Sequence, residues 1–188
     1  MIIIIGLGNP GKKFQKTRHN LGFIFVDYLK RKYQFPSFQI KEDLFSKISS
    51  GKILKEKVIL VKPQTFMNLS GEAVKAIKDY FKVPSEQIWV IHDDLDLPLG
   101  KAKISKGKGS GGHKGVQSII DSLKTKNFIR FRIGIMPKDK KVIKKEFVLD
   151  KFSKEELRII LPLKKKLALA LETAIEKGIN QAMEIINQ

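Results

Sequence analysis

Apolar residues recur along this chain in two rhythms. Ile2–Ile5 is an unbroken β-branched run that stops at Gly6, the pattern of a strand buried on both faces of a parallel sheet. Ile88–Ile91 repeats it and runs straight into His92-Asp93-Asp94. Residues 47–54 and 57–61 read as two strands joined by a tight turn, Lys101–Ser105 alternates as a half-exposed strand, and Phe128–Ile135 alternates again. Between these lie stretches of helical period. Leu21, Phe25, Tyr28 and Leu29 predict a helix from Asn20 to about Tyr33, with Asn20 as its cap. Val74, Ile77, Tyr80 and Phe81 predict another, capped by Asn68 or Ser70. A third is expected from about Val116 to Leu123. The tail, about 154–186, carries the stripe Leu163, Leu167, Leu171, Ala174 and Ile175; Pro162 is expected to break or restart it, and Gly178 to end or kink it. The Lys-rich segment 137–147 reads as an exposed loop.

Strands alternating with helices over 188 residues predict one α/β domain: a mixed, largely parallel twisted sheet flanked by helices, with a helical C-terminal segment. In such sheets ligands lie beyond the carboxyl ends of the strands. That directs attention to the loop after Ile5, to Pro63–Asn68 and to His92–Asp96.

The chain has no cysteine, which removes thiolate catalysis, disulfides and Cys-ligated metal. A net charge of +18 points to a polyanionic partner, although a generally Lys-rich composition would give the same figure without one. No apolar run approaches a membrane span and no secretory signal follows Met1, so a cytoplasmic protein without a membrane partner is expected.

Gly6–Gly11 spells G-x-G-x-x-G after a strand, but Pro10 lies inside it and no helix opens there, so a dinucleotide site is not expected. The glycines instead permit a tight turn that aims Asn9. His19 is either a general base or a satisfied residue at a helix threshold. Asp93, delivered to the same sheet edge, can orient such a base by accepting its N–H. Asp93, Asp94 and Asp96, with His92, could instead bind a metal but match no specific ligand spacing, and Ser110 lacks the G-x-S-x-G setting of a nucleophile. Asn68 is an ordinary cap or an oxyanion donor. Phe66 and Met67 are an apolar wall or core. Lys101, Lys103, Lys106, Lys108 and Lys114, interleaved with glycine, are phosphate contacts or a solvated face, and Arg130 and Arg132 can extend them.

Taken in order, G-L-G-N-P-G, T-R-H-N-L-G-F, P-Q-T-F-M-N-L-S-G, H-D-D-L-D-L-P-L-G, G-S-G-G-H-K-G and F-I-R-F-R-I-G-I resemble the bacterial peptidyl-tRNA hydrolase family over about residues 1–150. The resemblance implies a monomeric cytosolic esterase without metal or cofactor. Such an enzyme cleaves the ester between a peptide and the 3′-terminal ribose of tRNA, recycling tRNA from stalled or dropped-off ribosomes. It implies that His19 is the catalytic base, held by Asp93, and that Asn9 contacts substrate and helps select N-blocked over free aminoacyl groups. Asn68 then binds substrate and stabilises the oxyanion, and Phe66 lies at the tRNA end. Two positions depart. Phe14 stands where the family often has Tyr, which keeps a stacking face and loses a hydroxyl. Lys114 stands where it often has Asn, which keeps a donor and loses an acceptor. A non-catalytic RNA-binding protein on the same fold is the alternative. Under either reading Lys103, Lys106 and Arg132 are expected at the tRNA surface.

Overall fold

The computed structural model describes residues 1–137 and 145–187. Seven strands form one sheet in the order β2-β3-β4-β1-β5-β7-β6. They are β1 (Ile2–Gly6), β2 (Gln39–Lys41), β3 (Ser46–Ile53), β4 (Glu56–Pro63), β5 (Ile88–Pro98), β6 (Ala102–Lys106) and β7 (Ile129–Met136). The central four, β4-β1-β5-β7, run parallel, and antiparallel strands flank them on both sides. The helices are α1 (Leu21–Lys32), α2 (Ser70–Phe81), α3 (Lys114–Leu123), α4 (Lys154–Lys177) and α5 (Ile179–Ile186).

The all-Ile strand β1 works because it is buried on both faces. Ile4 joins a core with Phe25 and Leu29 of α1, Leu167 and Leu171 of α4, and Ala182 of α5. Ile3 and Ile5 point the other way, to Val74 and Ile77 of α2 and Val116 and Ile119 of α3. One sheet thus serves two cores, and every parallel strand ends on the same edge.

Several expectations need correction. Pro162 does not interrupt α4, which continues through it to Lys177; the proline and Arg158, whose carbonyl it leaves without a helical donor, both lie on the solvent face, where water can take that carbonyl. Gly178 separates α4 from α5 as expected. Asn20 and Ser70 do not cap: neither α1 nor α2 has a side-chain cap, and Met67–Leu69, including Asn68, forms a 3-10 turn before α2. Strand β5 does not stop at Ile91 but carries Asp93 within it and shifts register between Asp94 and Pro98. Helix α3 begins two residues earlier than expected. The short edge strand β2 has no counterpart in the hydrophobic pattern, since all three of its residues are exposed. Of the expected 137–147 loop, residues 138–144 lie outside the described residues, and Lys145–Leu149 is a 3-10 turn with Phe147 buried.

The sheet's other edge, β6, is capped from the C-terminal helix. The Ile104 amide donates to Asn187 Oδ1 (2.7 Å), and Asn187 Nδ2 donates to the Ile104 carbonyl (3.1 Å).

Gly6 and Gly22, from the first two motifs, have a packing reason rather than a phosphate-binding one. A Cβ on Gly22 would overlap the Leu7 nitrogen and the Ile91 carbonyl, and one on Gly6 would overlap the Gly22 carbonyl. Only two glycines let the start of α1 sit directly on the ends of β1 and β5. Gly22→Ala gains about 1 kcal/mol of helix preference. That gain is outweighed because the overlapped groups are backbone and cannot yield. Urea unfolding is expected to show a net loss of about 2 kcal/mol, and an unchanged midpoint would refute this account.

Candidate active site

A cleft of about 670 Å³ opens at the carboxyl edge of the parallel strands. The loop after β1 brings Asn9, and the 3-10 turn Arg18–Asn20 brings His19. Phe66, Met67 and Asn68 follow β4, while β5 supplies Asp93 to Asp96. His113 and Lys114 stand at the start of α3, and Val148 and Leu149 form the opposite wall.

At its floor His19 and Asp93, seventy-four positions apart, meet. His19 Nδ1 lies 3.0 and 3.1 Å from the two Asp93 carboxylate oxygens. Asp93 is 1% exposed and His19 8%. Burial on its own would push the Asp93 carboxyl up, but the charge and hydrogen bond of His113, and then those of His19, hold it far below the usual carboxylate range. Ionised Asp93 accepts, so His19 Nδ1 carries a proton, and in the neutral ring it is Nε2 that holds the lone pair.

Two further histidines complete this centre: His113, which the sequence leaves at a helix start, and His92, which it groups only with a candidate metal cluster. His113 caps α3 through Nδ1, which accepts from the Val116 amide (3.3 Å), and this fixes its proton on Nε2, 3.1 Å from Asp93 Oδ1. Its ring centroid lies 4.8 Å from that of His19. His92, 1% exposed, donates from Nδ1 to the Asp93 carbonyl at 2.6 Å. A sequence signal exists in G-G-H before a helix, but nothing local tells which carboxylate the imidazole meets. Single donor atoms of His19, Asp93 and His113 lie within 4.8 Å of one another, so these three are the residues that can hold a metal among those described. In the present geometry both imidazoles turn a nitrogen to Asp93 as a hydrogen-bond donor.

Asn20, expected as a cap, has another task. Its carboxamide clamps the Asn9 backbone in both directions, accepting from the Asn9 amide and donating to the Asn9 carbonyl at 2.9 Å each. Asn9 Oδ1 in turn accepts from the Met67 amide (2.8 Å), so the side chain presents its NH2 group to the cleft. Asn68 is exposed in the cleft wall, and its side chain has no hydrogen bond among the described residues.

The other expected site residues divide. Phe66, 57% exposed, and Lys114 line the cleft. Phe14 is half-buried under Lys13 and does not line it. Lys103 and Lys106 are exposed on β6, Lys103 in register with Arg132 on β7. Arg132 is not a free cation: its Nε donates to Asp94 Oδ2 at 2.6 Å. Arg130 is buried.

A sequence model of the family described as peptidyl-tRNA hydrolase matches residues 3–188. The chain is 47% identical to a peptidyl-tRNA hydrolase of Thermodesulfovibrio yellowstonii and 42% identical to one of Shouchella clausii, each alignment covering the whole of both proteins. Its fold matches a crystal structure of peptidyl-tRNA hydrolase from Acinetobacter baumannii with a TM-score of 0.92 and 32% identity, covering 100% of this chain and 94% of that one.

The centre has a pH signature. Burial above all, and then the charge His113 carries whenever it is protonated, holds His92 well below the usual imidazole range. Folded His92 therefore stays neutral while an unfolded histidine takes up a proton below about pH 6.5. The unfolded state binds more protons there, so stability from this group is complete above that pH. It falls on acidification by up to about 1.4 kcal/mol per pH unit. Asp93, with its lowered value, loses its contribution only below about pH 3.9, so the two windows separate. His92→Asn supplies a donor in place of Nδ1–H without titrating. It should flatten the stability loss between about pH 4.5 and 6.5, read by urea titrations; an equally steep loss in the variant would reject the assignment.

Proposed function

The chain belongs to the peptidyl-tRNA hydrolase family and hydrolyses peptidyl-tRNA, and on that footing we propose that His19 is the general base of the reaction. The observation that carries this reading is the His19–Asp93 contact on the floor of an open cleft. Asp93 fixes the tautomer, so Nε2 takes a proton from water as the water oxygen attacks the ester carbonyl. The tetrahedral oxyanion is stabilised by the Asn68 carboxamide. Collapse breaks the bond between the carbonyl carbon and the ribose oxygen, and His19 returns its proton to that oxygen. Peptide and tRNA leave. An ester needs less leaving-group help than an amide, so this chemistry requires no resident metal or cofactor.

Asn9 gives a physical basis for choosing N-blocked substrates. With its oxygen committed to Met67, it offers only N–H donors. The amide carbonyl of a blocked residue can accept from them; a free α-ammonium cannot. Phe66 offers a stacking face to the tRNA 3′ end, and Lys114 a cation to a nearby phosphate or ribose oxygen. Phe14 is assigned to tRNA outside the acyl site. Lys103 and Lys106 form the phosphate-binding face; Arg132, paired with Asp94, contributes mainly by orientation. We place the enzyme in the cytoplasm, where tRNA is used, and as a monomer, because this one chain supplies every group the reaction needs. No described helix is long and apolar enough to cross a membrane. A non-catalytic RNA-binding role is disfavoured, since it leaves the buried His19–Asp93 pair without a purpose.

Incubation with N-acetyl-aminoacyl-tRNA and with unblocked aminoacyl-tRNA should release the amino acid from the first only. His19→Ala should lower kcat by about 10²–10⁴-fold with tRNA binding retained; a wild-type kcat would remove His19 as the base. Joint Lys103→Gln and Lys106→Gln substitution should raise KM and reduce the salt slope of kcat/KM by about one for each phosphate no longer neutralised. An unchanged slope would move the phosphate-binding face elsewhere.

A further inference from the structure

Arg18 belongs to the turn that carries His19, but its side chain points away from the cleft. It is 5% exposed, and a buried cation needs a partner. Its Nη2 donates to both carboxylate oxygens of Glu156, at 2.8 and 2.7 Å. Its guanidinium lies over the Phe147 ring at 4.1 Å and near Phe152 at 5.5 Å. The backbone on either side is tied to the same segment. The Arg18 amide donates to the Asp150 carbonyl (3.0 Å) and the Phe152 amide to the Lys16 carbonyl (3.3 Å), and Thr17 pairs with Lys151 as an antiparallel bridge. Glu156 is also the third residue of α4. In the helix's capping box its carboxylate accepts from the Ser153 amide at 2.8 Å. One carboxylate therefore fixes the start of α4 and holds the turn that carries His19.

We infer that the Arg18–Glu156 pair is a positioning device for the hydrolysis, setting where the His19 imidazole stands relative to Asp93 and the cleft. Two features separate this from generic packing. Arg18 and His19 are adjacent in a three-residue 3-10 turn, so a change in the path of one redirects the other. The grip also comes from 145–156, the segment whose Val148 and Leu149 form a cleft wall. The base and that wall are thus held in one frame. A displacement of about 1 Å in such a frame costs up to about a hundredfold in rate.

The inference rests on His19 being the base, and the experiment keeps the two apart. Glu156→Gln removes the charge but keeps an oxygen for the Ser153 amide, so α4 stays capped. Arg18→Met removes the cation and leaves an apolar stem. On N-acetyl-aminoacyl-tRNA each should lower kcat about ten- to hundredfold with KM within about twofold. The double variant should be no worse than the worse single one, because the pair acts as a unit. In a His19→Ala background, Glu156→Gln should cause no further loss. Wild-type kcat in folded Glu156→Gln overturns the inference, and so does a rise in KM at constant kcat. An equal further loss without His19 also overturns it, since the pair would then act through the fold at large. If His19→Ala itself retains kcat, the base assignment fails first; if His19→Ala is inactive and Glu156→Gln is normal, only the positioning role falls.

Discussion

A single buried carboxylate organises this molecule's working end. Asp93 sits inside a central strand, nearly removed from solvent, and stays ionised because two imidazole N–H groups, from His19 and His113, converge on it. A buried carboxylate without such donors would take up a proton and lose its hold on the His19 tautomer. The dependence runs both ways. Asp93 holds the tautomer of His19, and α3 is fixed to the sheet edge by the histidine that caps it. His92 supports the same residue from beneath, through its main-chain carbonyl.

The turn carrying His19 is held on three sides by three consecutive side chains. Arg18 reaches the C-terminal segment, His19 reaches β5, and Asn20 grips the backbone of the loop after β1. A 3-10 turn has little internal stability, since its hydrogen bonds are few and poorly aligned. Its shape is imposed from outside, by one tether to the loop before it and two to elements distant in sequence. The two facing glycines of β1 and α1 let those tethers be short.

Much of the architecture is legible in the sequence because its signals are local. A β-branched run such as Ile2–Ile5 has one reading, and the helical periods of α1, α2 and the tail leave little freedom. The meeting of His19 and Asp93 follows from the rule that parallel strands end on one edge. What the sequence hides is set by partners far along the chain. Asn20 looks like a cap, and only the fold shows that its carboxamide finds the Asn9 backbone nearer than any amide of α1. His113 caps α3 with one nitrogen, and only the fold shows that the other faces Asp93. Pro162 is a helix breaker by propensity; packing of Leu163, Leu167 and Leu171 on the sheet outweighs the loss of one solvent-facing hydrogen bond. Arg132 reads as a free cation until the strand register sets it beside Asp94.

The carboxamide of Asn187 has a colloidal consequence. By pairing with the Ile104 peptide it acts as a one-residue surrogate strand on an open side of the sheet. That side also displays Lys103 and Lys106. A second molecule approaching there finds repelling ammonium groups and the Ile104 peptide already paired, so strand-to-strand association is opposed sterically as well as by charge. A strongly basic edge is thereby closed to copies of itself.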